Sequence, residues 1–281
     1  MNEVAILLST YNGEEYITQQ LDSLLSQTYK GWHLFIRDDG SSDTTYKIIK
    51  DYERKYSSKI SILPSSENLG CAKSFLNILE KVDAKYYAFC DQDDVWDNKK
   101  LEVLIDKLKK EENINPELPL LCCCDALVVD ENLELQYSSL WAISKLHPRK
   151  INSNKDLILY FNVAPGCSTV FNKKLKDVYE SMHISPNIMH DKLCNVIAVK
   201  HGKLLYVDAP LVNYRQHSKN VIGAVAIDNS YFKSKRKNIK ETFLKQVELY
   251  RIIKFFTKIS FPRYYVMKLY YNIKRANNEY R

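Results

Sequence analysis

Residues 86–96 read YYAFCDQDDVW, an apolar run that ends in three carboxylates. The run from Tyr86 to Cys90 predicts a strand that is buried on both faces, as in a parallel sheet covered by helices. Asp91 and Asp93 follow on alternate residues, so both side chains can point the same way beyond the strand. This stretch predicts an α/β fold with acidic groups at one edge of its sheet.

Three earlier segments repeat the order of apolar strand, polar turn and amphipathic helix. The predicted strands are 4–8, 34–36 and 60–63, and apolar residues at helical spacing follow each of them. Asn12 and Glu15 resemble a capping box at the start of the first helix. Strands and helices that alternate in this way predict a mostly parallel sheet flanked by helices on both faces.

Polar residues follow three of the predicted strands. The first strand leads to residues 9–12, the second to Asp38 and Asp39, and the fourth to residues 91–94. Ligands bind at the carboxyl ends of strands in open parallel sheets, and carboxylate oxygens are suitable ligands for Mg²⁺ or Mn²⁺. An isolated Asp-x-Asp is more often a solvated loop. Here the two neighbouring polar strand ends favour a metal site beside a polar ligand.

Several classes of site have no signature in the sequence. There is no glycine-rich dinucleotide turn, no phosphate-binding loop and no Gly-x-Ser-x-Gly elbow, so a bound diphosphate would depend on a metal. The seven cysteines are odd in number, and Cys122–Cys124 are contiguous within an apolar stretch, which predicts buried thiols in a reducing compartment. With no signal peptide and no apolar run near the ~20 residues of a membrane span, we expect a cytoplasmic protein.

The second half of the chain has a less regular pattern. Leu120–Val129 predicts a fifth strand, helices are expected near 154–161, 173–182 and 191–200, and short strands near 203–207 and 211–215.

The charge is distributed unevenly along the chain. Residues 228–281 hold 14 Lys and Arg against 4 Asp and Glu, together with twelve aromatics, whereas residues 1–227 hold 27 basic and 30 acidic residues. The composition therefore predicts a near-neutral body followed by a basic, amphipathic, helical tail.

Seven short motifs, in this order and on these elements, resemble glycosyltransferase family 2, the inverting enzymes with the GT-A fold. The motifs are Ser9–Gly13, Arg37–Asp43, Glu67–Gly70, Asp91–Trp96, Pro165–Cys167, His190–Asp191 and Tyr214–His217. The last three resemble the branch that contains bacterial rhamnosyltransferases. The resemblance covers roughly residues 3 to 223. It implies a GT-A domain over 1–227, with a nucleotide-binding half of about 1–130 and an acceptor-binding half of about 131–227, and leaves 228–281 as the tail.

The resemblance implies roles in donor binding for several residues. Thr10, Tyr11 and Asn12 would lie along the nucleotide. Asp39 would accept a hydrogen bond from the imide of the base, and Lys73 would approach the base or the phosphate.

A second group would carry the metal and the chemistry. Asp93 would bind Mn²⁺ or Mg²⁺ directly, and His217 would be a late ligand of the metal or the diphosphate. Asp91 would contact the ribose or a metal-bound water, and Asp94 would face the donor sugar. Asp191 would be the catalytic base; the alternative is that it caps the helix that follows. Lys192 departs from the aromatic residue that this branch often carries after that aspartate.

The implied reaction moves a sugar, for example rhamnose, from a dTDP- or UDP-sugar to an acceptor hydroxyl in bacterial surface polysaccharide assembly. The acceptor would be a saccharide on a lipid carrier. The tail would either pack on the body or hold the protein on the anionic inner face of the membrane. A non-catalytic sugar-nucleotide-binding module and a nucleotidyltransferase are the alternatives. We expect no nucleic-acid partner, because the body is net acidic and carries no recognised nucleic-acid motif.

Overall fold

The computed structural model describes residues 3–182, 189–218, 220 and 239–280. Its strands are β1 (Val4–Thr10), β2 (Trp32–Asp38), β3 (Ile60–Ile62), β4 (Tyr86–Cys90), β5 (Val95–Trp96), β6 (Leu120–Val129), β7 (Leu135–Tyr137), β8 (Thr169–Asn172) and β9 (Lys203–Arg215). Its helices are α1 (Ile17–Leu25), α2 (Thr45–Lys55), α3 (Cys71–Lys81), α4 (Lys100–Ile114), α5 (Leu140–Ser144), α6 (Pro148–Ser153), α7 (Leu157–Tyr160), α8 (Lys173–Ser181), α9 (His190–His201), α10 (Ile239–Ile253) and α11 (Phe261–Ala276).

All nine of these strands belong to one sheet, which confirms the predicted α/β class. The order is β3-β2-β1-β4-β8-β6-β9-β5, and β7 pairs with β6. Strands β1 to β4 are parallel, as are β6 and β9, whereas β8 is antiparallel to both of its neighbours. In the parallel register Thr10 lies beside Asp38 and Leu8 beside Cys90, so β1, β2 and β4 end at the same edge.

The apolar runs are explained by a sheet with a core on each face. In β1, Ile6 and Leu8 belong to one buried cluster, and Ala5 and Leu7 belong to the other. The triplet Cys122–Cys124 alternates in the same way and is fully buried, which confirms that these thiols are packing groups. Burying each large apolar side chain contributes about 1.5–3 kcal/mol.

The structure corrects three local predictions and adds strand β8, which the sequence did not predict. The strands expected at 203–207 and 211–215 are one strand, β9, whose register against β6 shifts next to Pro210, a residue with no N–H to donate. The helix expected near 154–161 is only the four-residue α7, and α6 lies just before that range. Strand β8, only four residues long, lies between β4 and β6, which do not pair with each other.

The third correction concerns the start of α1. Tyr16 occupies the cap position without a side-chain hydrogen bond, so Asn12 and Glu15 do not form a capping box. Asn12 instead adopts a left-handed conformation, with φ 47°, and its Oδ1 accepts a hydrogen bond from Ser42 N at 2.8 Å. Its side chain therefore joins the loops that follow β1 and β2.

The described part of the basic tail is helical, as predicted, and it packs on the body. Tyr264 in α11 is fully buried and stacks on Tyr160, with ring centroids 5.3 Å apart. Lys145 Nζ donates to Ala276 O at 2.9 Å. Four of the basic residues of the tail, Lys233, Lys235, Arg236 and Lys237, lie outside the described residues. None of the described helices combines the length and the apolar composition that crossing a bilayer requires.

The contact between Tyr264 and Tyr160 predicts that the tail contributes to stability. Tyr264→Ala should lower the free energy of unfolding by roughly 3 kcal/mol, because it removes a buried ring and leaves a cavity. Urea denaturation would measure the loss. Tyr270→Ala is the matched control, since Tyr270 lies on the same helix and is 47% exposed. Equal effects of the two substitutions would contradict tight packing of α11.

Candidate active site

A cavity of about 1010 Å³ opens at the edge where β1, β2 and β4 end. Loops after these strands form one side of it, and residues from the start of α9 and the end of β9 form the other. The cavity is therefore built where a mostly parallel sheet is expected to bind its ligands.

A reciprocal pair of hydrogen bonds joins the loops that follow β1 and β4. Tyr11 N donates to Gln92 Oε1 at 2.8 Å, and Gln92 Nε2 donates to Tyr11 O at 3.1 Å. The lack of a side chain at Gly13 leaves room for the Gln92 carboxamide, which a Cβ at this position would displace. Tyr11, 50% exposed, is thereby held as an aromatic side chain along the wall of the cavity.

Asp39 is fixed from three directions. Its carboxylate accepts hydrogen bonds from Leu69 N and Gly70 N, both at 2.8 Å, and pairs with the buried Arg37 guanidinium. Arg37 Nη2 also donates to Glu67 O at 2.7 Å. Asp39 still lines the cavity, so it holds the 67–70 turn in place while facing the cavity.

Three carboxylates follow β4 in a site that is short of positive charge. Burial, together with the neighbouring carboxylates of Asp94, Asp93 and Asp191, raises the pKa of Asp91 well above its usual range. Burial and the charge of Asp93 also raise the pKa of Asp94 to about 7. Asp91, Asp94 and Cys167 offer possible ligand atoms within 4.8 Å of one another. The buried Cys167 thiol has a pKa well above its usual range and is a poor ligand for a hard cation.

Asp93 and His217 form the second half of this acidic site. Asp93 Oδ2 lies 2.9 Å from His217 Nε2, and Asn220 Nδ2 is 3.4 Å from the same oxygen. The Tyr16 ring packs against the imidazole, with ring centroids 4.8 Å apart. The cavity thus presents carboxylate oxygens and an imidazole nitrogen, next to carboxylates whose protonation is favoured by mutual repulsion. This set of groups fits a divalent cation such as Mn²⁺.

Asp191 lies in the first turn of α9, with Met189 in the cap position, so the helix-cap alternative is not what the structure contains. Its Oδ1 accepts from Lys192 N at 2.6 Å, and its Oδ2 accepts from Asn162 Nδ2 at 2.7 Å. Asn195 Nδ2 donates to Asn162 Oδ1 at 2.9 Å, which orients the Asn162 amide toward the carboxylate. Burial raises the pKa of Asp191, and these hydrogen bonds oppose that rise.

Two buried basic side chains flank Asp191. Lys192 Nζ donates to Phe161 O at 2.6 Å and to Ile158 O, and burial lowers its pKa to about 7. Burial lowers the pKa of His190 to about 3, so its imidazole is neutral. The His190 ring lies 4.1 Å from the Phe75 ring, centroid to centroid, and neither ring nitrogen has a partner among the described residues.

The far end of the cavity includes residues of the tail. Leu249 in α10 and Arg275 in α11 line it together with Trp141 and Tyr160. Arg275 Nε donates to Ser144 O at 2.6 Å, which fixes the guanidinium against α5. The tail is thus part of the cavity wall, a role that its composition did not predict.

The structure brings together seven of the ten predicted site residues. One cavity is lined by Tyr11, Asn12, Asp39, Asp91, Asp93, Asp191 and His217.

The other three do not line the cavity. Thr10 is fully buried and donates to Asp38 Oδ1 at 2.9 Å. Lys73 is exposed on the first turn of α3. Asp94, expected to face the donor sugar, is 1% exposed and accepts a hydrogen bond from Arg215 N at 2.9 Å, so it anchors the end of β9.

Sequence reasoning assigned no role to Asn162, His190 or Arg275. Asn162 precedes the Pro165–Cys167 motif and His190 precedes Asp191, so their positions beside motif residues were the available signal. Arg275 had no such signal, because only the packing of α11 brings it to the cavity.

Comparison with known proteins decides the family. A family model described as "Glycosyl transferase family 2" matches residues 5–178, more than half of the chain. The chain belongs to this family. The resemblance drawn from the motifs is therefore confirmed.

Curated relatives come from bacteria. The "dTDP-rhamnosyl transferase RfbG" of Shigella flexneri is 31% identical over 244 residues, which span 83% of this chain and 78% of RfbG. The "UDP-Glc:alpha-D-GlcNAc-diphosphoundecaprenol beta-1,3-glucosyltransferase WfgD" of Escherichia coli is 31% identical over 175 residues, 59% of this chain and 58% of WfgD. This glycosyltransferase thus has homologues in the synthesis of bacterial surface polysaccharides.

Solved structures confirm the GT-A fold. S. aureus TarS 1–349 in complex with UDP has a TM-score of 0.56 at 17% identity, covering 76% of this chain and 60% of TarS 1–349. The mannosyltransferase PcManGT from Pyrobaculum calidifontis, in complex with GDP-Man and Mn²⁺, has a TM-score of 0.53 at 14% identity, covering 73% and 55%.

The pairing of Arg37 with Asp39 generates a prediction about stability. Asp39→Ala leaves a buried guanidinium without its counter-charge and should lower the free energy of unfolding by roughly 3–5 kcal/mol. The double variant Arg37→Met/Asp39→Ala removes both charges and should be destabilised less than Asp39→Ala alone. Urea denaturation of the two variants would measure the difference. If the double variant were less stable than Asp39→Ala, an isolated buried charge could not be the cause of the lost stability.

Proposed function

We propose that this enzyme transfers a sugar from a nucleoside diphosphate to an acceptor hydroxyl, with inversion of the anomeric centre and with the help of a divalent cation. The observation that carries the proposal is the placement of Asp93, His217 and Asp191 on one cavity at the carboxyl edge of the sheet. Those groups supply the two requirements of the reaction, which are charge stabilisation at the diphosphate and a base at the acceptor.

The proposed donor is a dTDP- or UDP-sugar, with rhamnose as one candidate sugar. Uracil and thymine both present an imide N–H, and Asp39 supplies a carboxylate fixed by the 67–70 turn. Tyr11 and Asn12 would lie along the nucleotide from the β1 side of the cavity. The names of RfbG and WfgD, which use dTDP and UDP donors, support this choice.

The proposed metal ligands are Asp93 and His217, with Asp91 contacting the ribose or a metal-bound water. A divalent cation bound there would neutralise the charge that develops on the departing diphosphate. Binding there would also replace the hydrogen bond between Asp93 and His217, and it would offset the repulsion that, after burial, raises the pKa of Asp91. Mn²⁺ and Mg²⁺ both accept such ligands.

Asp191 is the proposed general base. The acceptor oxygen attacks the anomeric carbon as its proton passes to a carboxylate oxygen of Asp191. The bond between the anomeric carbon and the diphosphate oxygen breaks, and its electron pair leaves with the diphosphate. A single displacement of this kind inverts the anomeric centre. Asn162 and Lys192 N hold the carboxylate in position, and such assistance is typically worth ~10²–10⁴-fold.

The proposed acceptor is a saccharide on a lipid carrier, as the name of WfgD states for that enzyme. Residues 1–227 would form the catalytic domain, with donor and acceptor halves that meet near residue 130. Helices α10 and α11 would close the acceptor end through Leu249 and Arg275. The net charge of the tail supports a position on the inner face of the cytoplasmic membrane, because each Lys or Arg near an anionic leaflet contributes roughly 1 kcal/mol.

The metal proposal predicts a specific loss in Asp93→Ala. Sugar transfer should fall below detection, and Mn²⁺ should no longer strengthen binding of UDP or dTDP in isothermal titration calorimetry. Asp106→Ala, which removes an exposed carboxylate from α4, is the matched control and should behave as the wild type. Near-normal transfer in the presence of EDTA would refute the metal mechanism.

The base proposal predicts that binding and turnover separate in Asp191→Asn. Nucleotide affinity should be retained, whereas kcat should fall by ~10²–10⁴-fold, because the amide cannot accept the acceptor proton. Steady-state kinetics and nucleotide titration would measure the two effects.

Asn162→Ala provides a graded companion variant. It removes a hydrogen bond that lowers the pKa of Asp191. The titratable groups next to Asp191, which are Asp91 and Lys192, stay in place. A carboxylate must be ionised to act as a base, so the acid limb of kcat/KM should move to higher pH.

Full turnover in Asp191→Asn would place the base elsewhere.

A further inference from the structure

The outer face of α11 is apolar and exposed. Val266, Leu269 and Ile273 are 62%, 50% and 61% exposed, and Tyr270 is 47% exposed. Their spacing of three and four residues places all four side chains on one side of the helix. An amphipathic helix of a water-exposed domain normally turns such a stripe toward the core.

The opposite face of α11 packs against the body. Tyr264 and Tyr271 are buried there, and Lys268 Nζ donates to Tyr160 O. Arg275 lies on this inner face, bonded to Ser144 O, and lines the cavity. These contacts fix the rotation of the helix, so the apolar stripe cannot turn inward without breaking them.

Further exposed apolar side chains occur in the same part of the chain. Phe243, Leu244 and Phe255 are 44%, 54% and 65% exposed. Seven of the twelve exposed large hydrophobic residues among the described positions lie within 239–280, so the apolar surface is concentrated on the tail. Concentrated apolar surface marks a site of interaction with another molecule or with a membrane.

Charge identifies the partner. Residues 228–281 carry 14 basic against 4 acidic residues, and Arg263 and Lys274 lie on α11 beside the stripe. A second copy of this chain would bring two cationic surfaces together, which is unfavourable. An anionic bilayer provides both complements, which are negative headgroups for the basic residues and an apolar boundary for the stripe.

We propose that α11 lies in the plane of an anionic membrane, with Val266, Leu269, Tyr270 and Ile273 inserted at the boundary between headgroups and acyl chains. The inference deepens the proposed function, on which it rests for the lipid-linked acceptor. Because the inner face of the same helix walls the cavity, insertion of its outer face places the acceptor end of the cavity beside the bilayer. Attachment then has an apolar component that salt does not screen, in addition to the electrostatic one.

The test measures sedimentation of the full chain with vesicles of phosphatidylcholine and phosphatidylglycerol. Val266→Ser/Leu269→Ser/Ile273→Ser should reduce the vesicle partition coefficient at least tenfold. Ile114→Ser/Leu135→Ser is the matched control, because these residues are 74% and 59% exposed on the body, and it should bind as the wild type does. Equal binding by the triple variant and the wild type would overturn the proposal.

A second measurement does not depend on the folding of the triple variant. Tyr270→Trp, in the otherwise unchanged chain, should shift its emission to the blue and be quenched by brominated lipid in anionic vesicles. Absence of quenching while the protein is vesicle-bound would overturn insertion of this face. A concentration-dependent dimer that the triple variant abolishes would likewise overturn it, in favour of a second copy as the partner.

Donor hydrolysis without vesicles separates this proposal from the proposed function. The stripe faces away from the cavity, so the triple variant should hydrolyse the nucleotide sugar at the wild-type rate. Loss of vesicle binding with intact hydrolysis supports the membrane surface. Absence of hydrolysis in the wild type would contradict the proposed function without bearing on insertion.

Discussion

Mutual repulsion among carboxylates at one edge of the sheet is the constraint on which the site depends. Strands β1, β2 and β4 are parallel neighbours, so the acidic residues that follow them must share one small region. Arg37 neutralises Asp39, but Asp91 and Asp94 both have a raised pKa because they are buried beside other carboxylates. A cation bound at this edge would turn that repulsion into attraction.

The buried cationic side chains of this region donate hydrogen bonds to backbone carbonyl oxygens. The acidic residues at the cavity are therefore left with a deficit of positive charge. Lys100 Nζ donates to Cys167 O and lies 3.0 Å from the Trp96 ring centroid. Arg215 Nε donates to Asp93 O at 2.6 Å, and Arg215 N donates to the Asp94 carboxylate. The Arg215 bonds tie the acidic loop to β9, and the Lys100 bond ties the start of α4 to the 166–168 turn.

The sequence was sufficient for features that depend on local pattern. The continuous apolar run of β4 and the polar residues that follow it predicted both the parallel sheet and the edge that carries the site. Features that depend on long-range packing were not predictable. Strand β8 is too short to show a period, and Asp94 could be recognised as an anchor only after β9 had placed Arg215 N beside it. The composition of the tail indicated helices and charge, but only their packing shows that Arg275 lines the cavity.

A crystal structure with UDP and Mn²⁺, with the metal located by anomalous scattering, tests the central claim most directly. The account predicts one anomalous peak beside Asp93 and His217, with the diphosphate next to it and the uracil ring on the Asp39 side of the cavity. An anomalous peak away from these two residues, or UDP bound outside this cavity, would contradict the account.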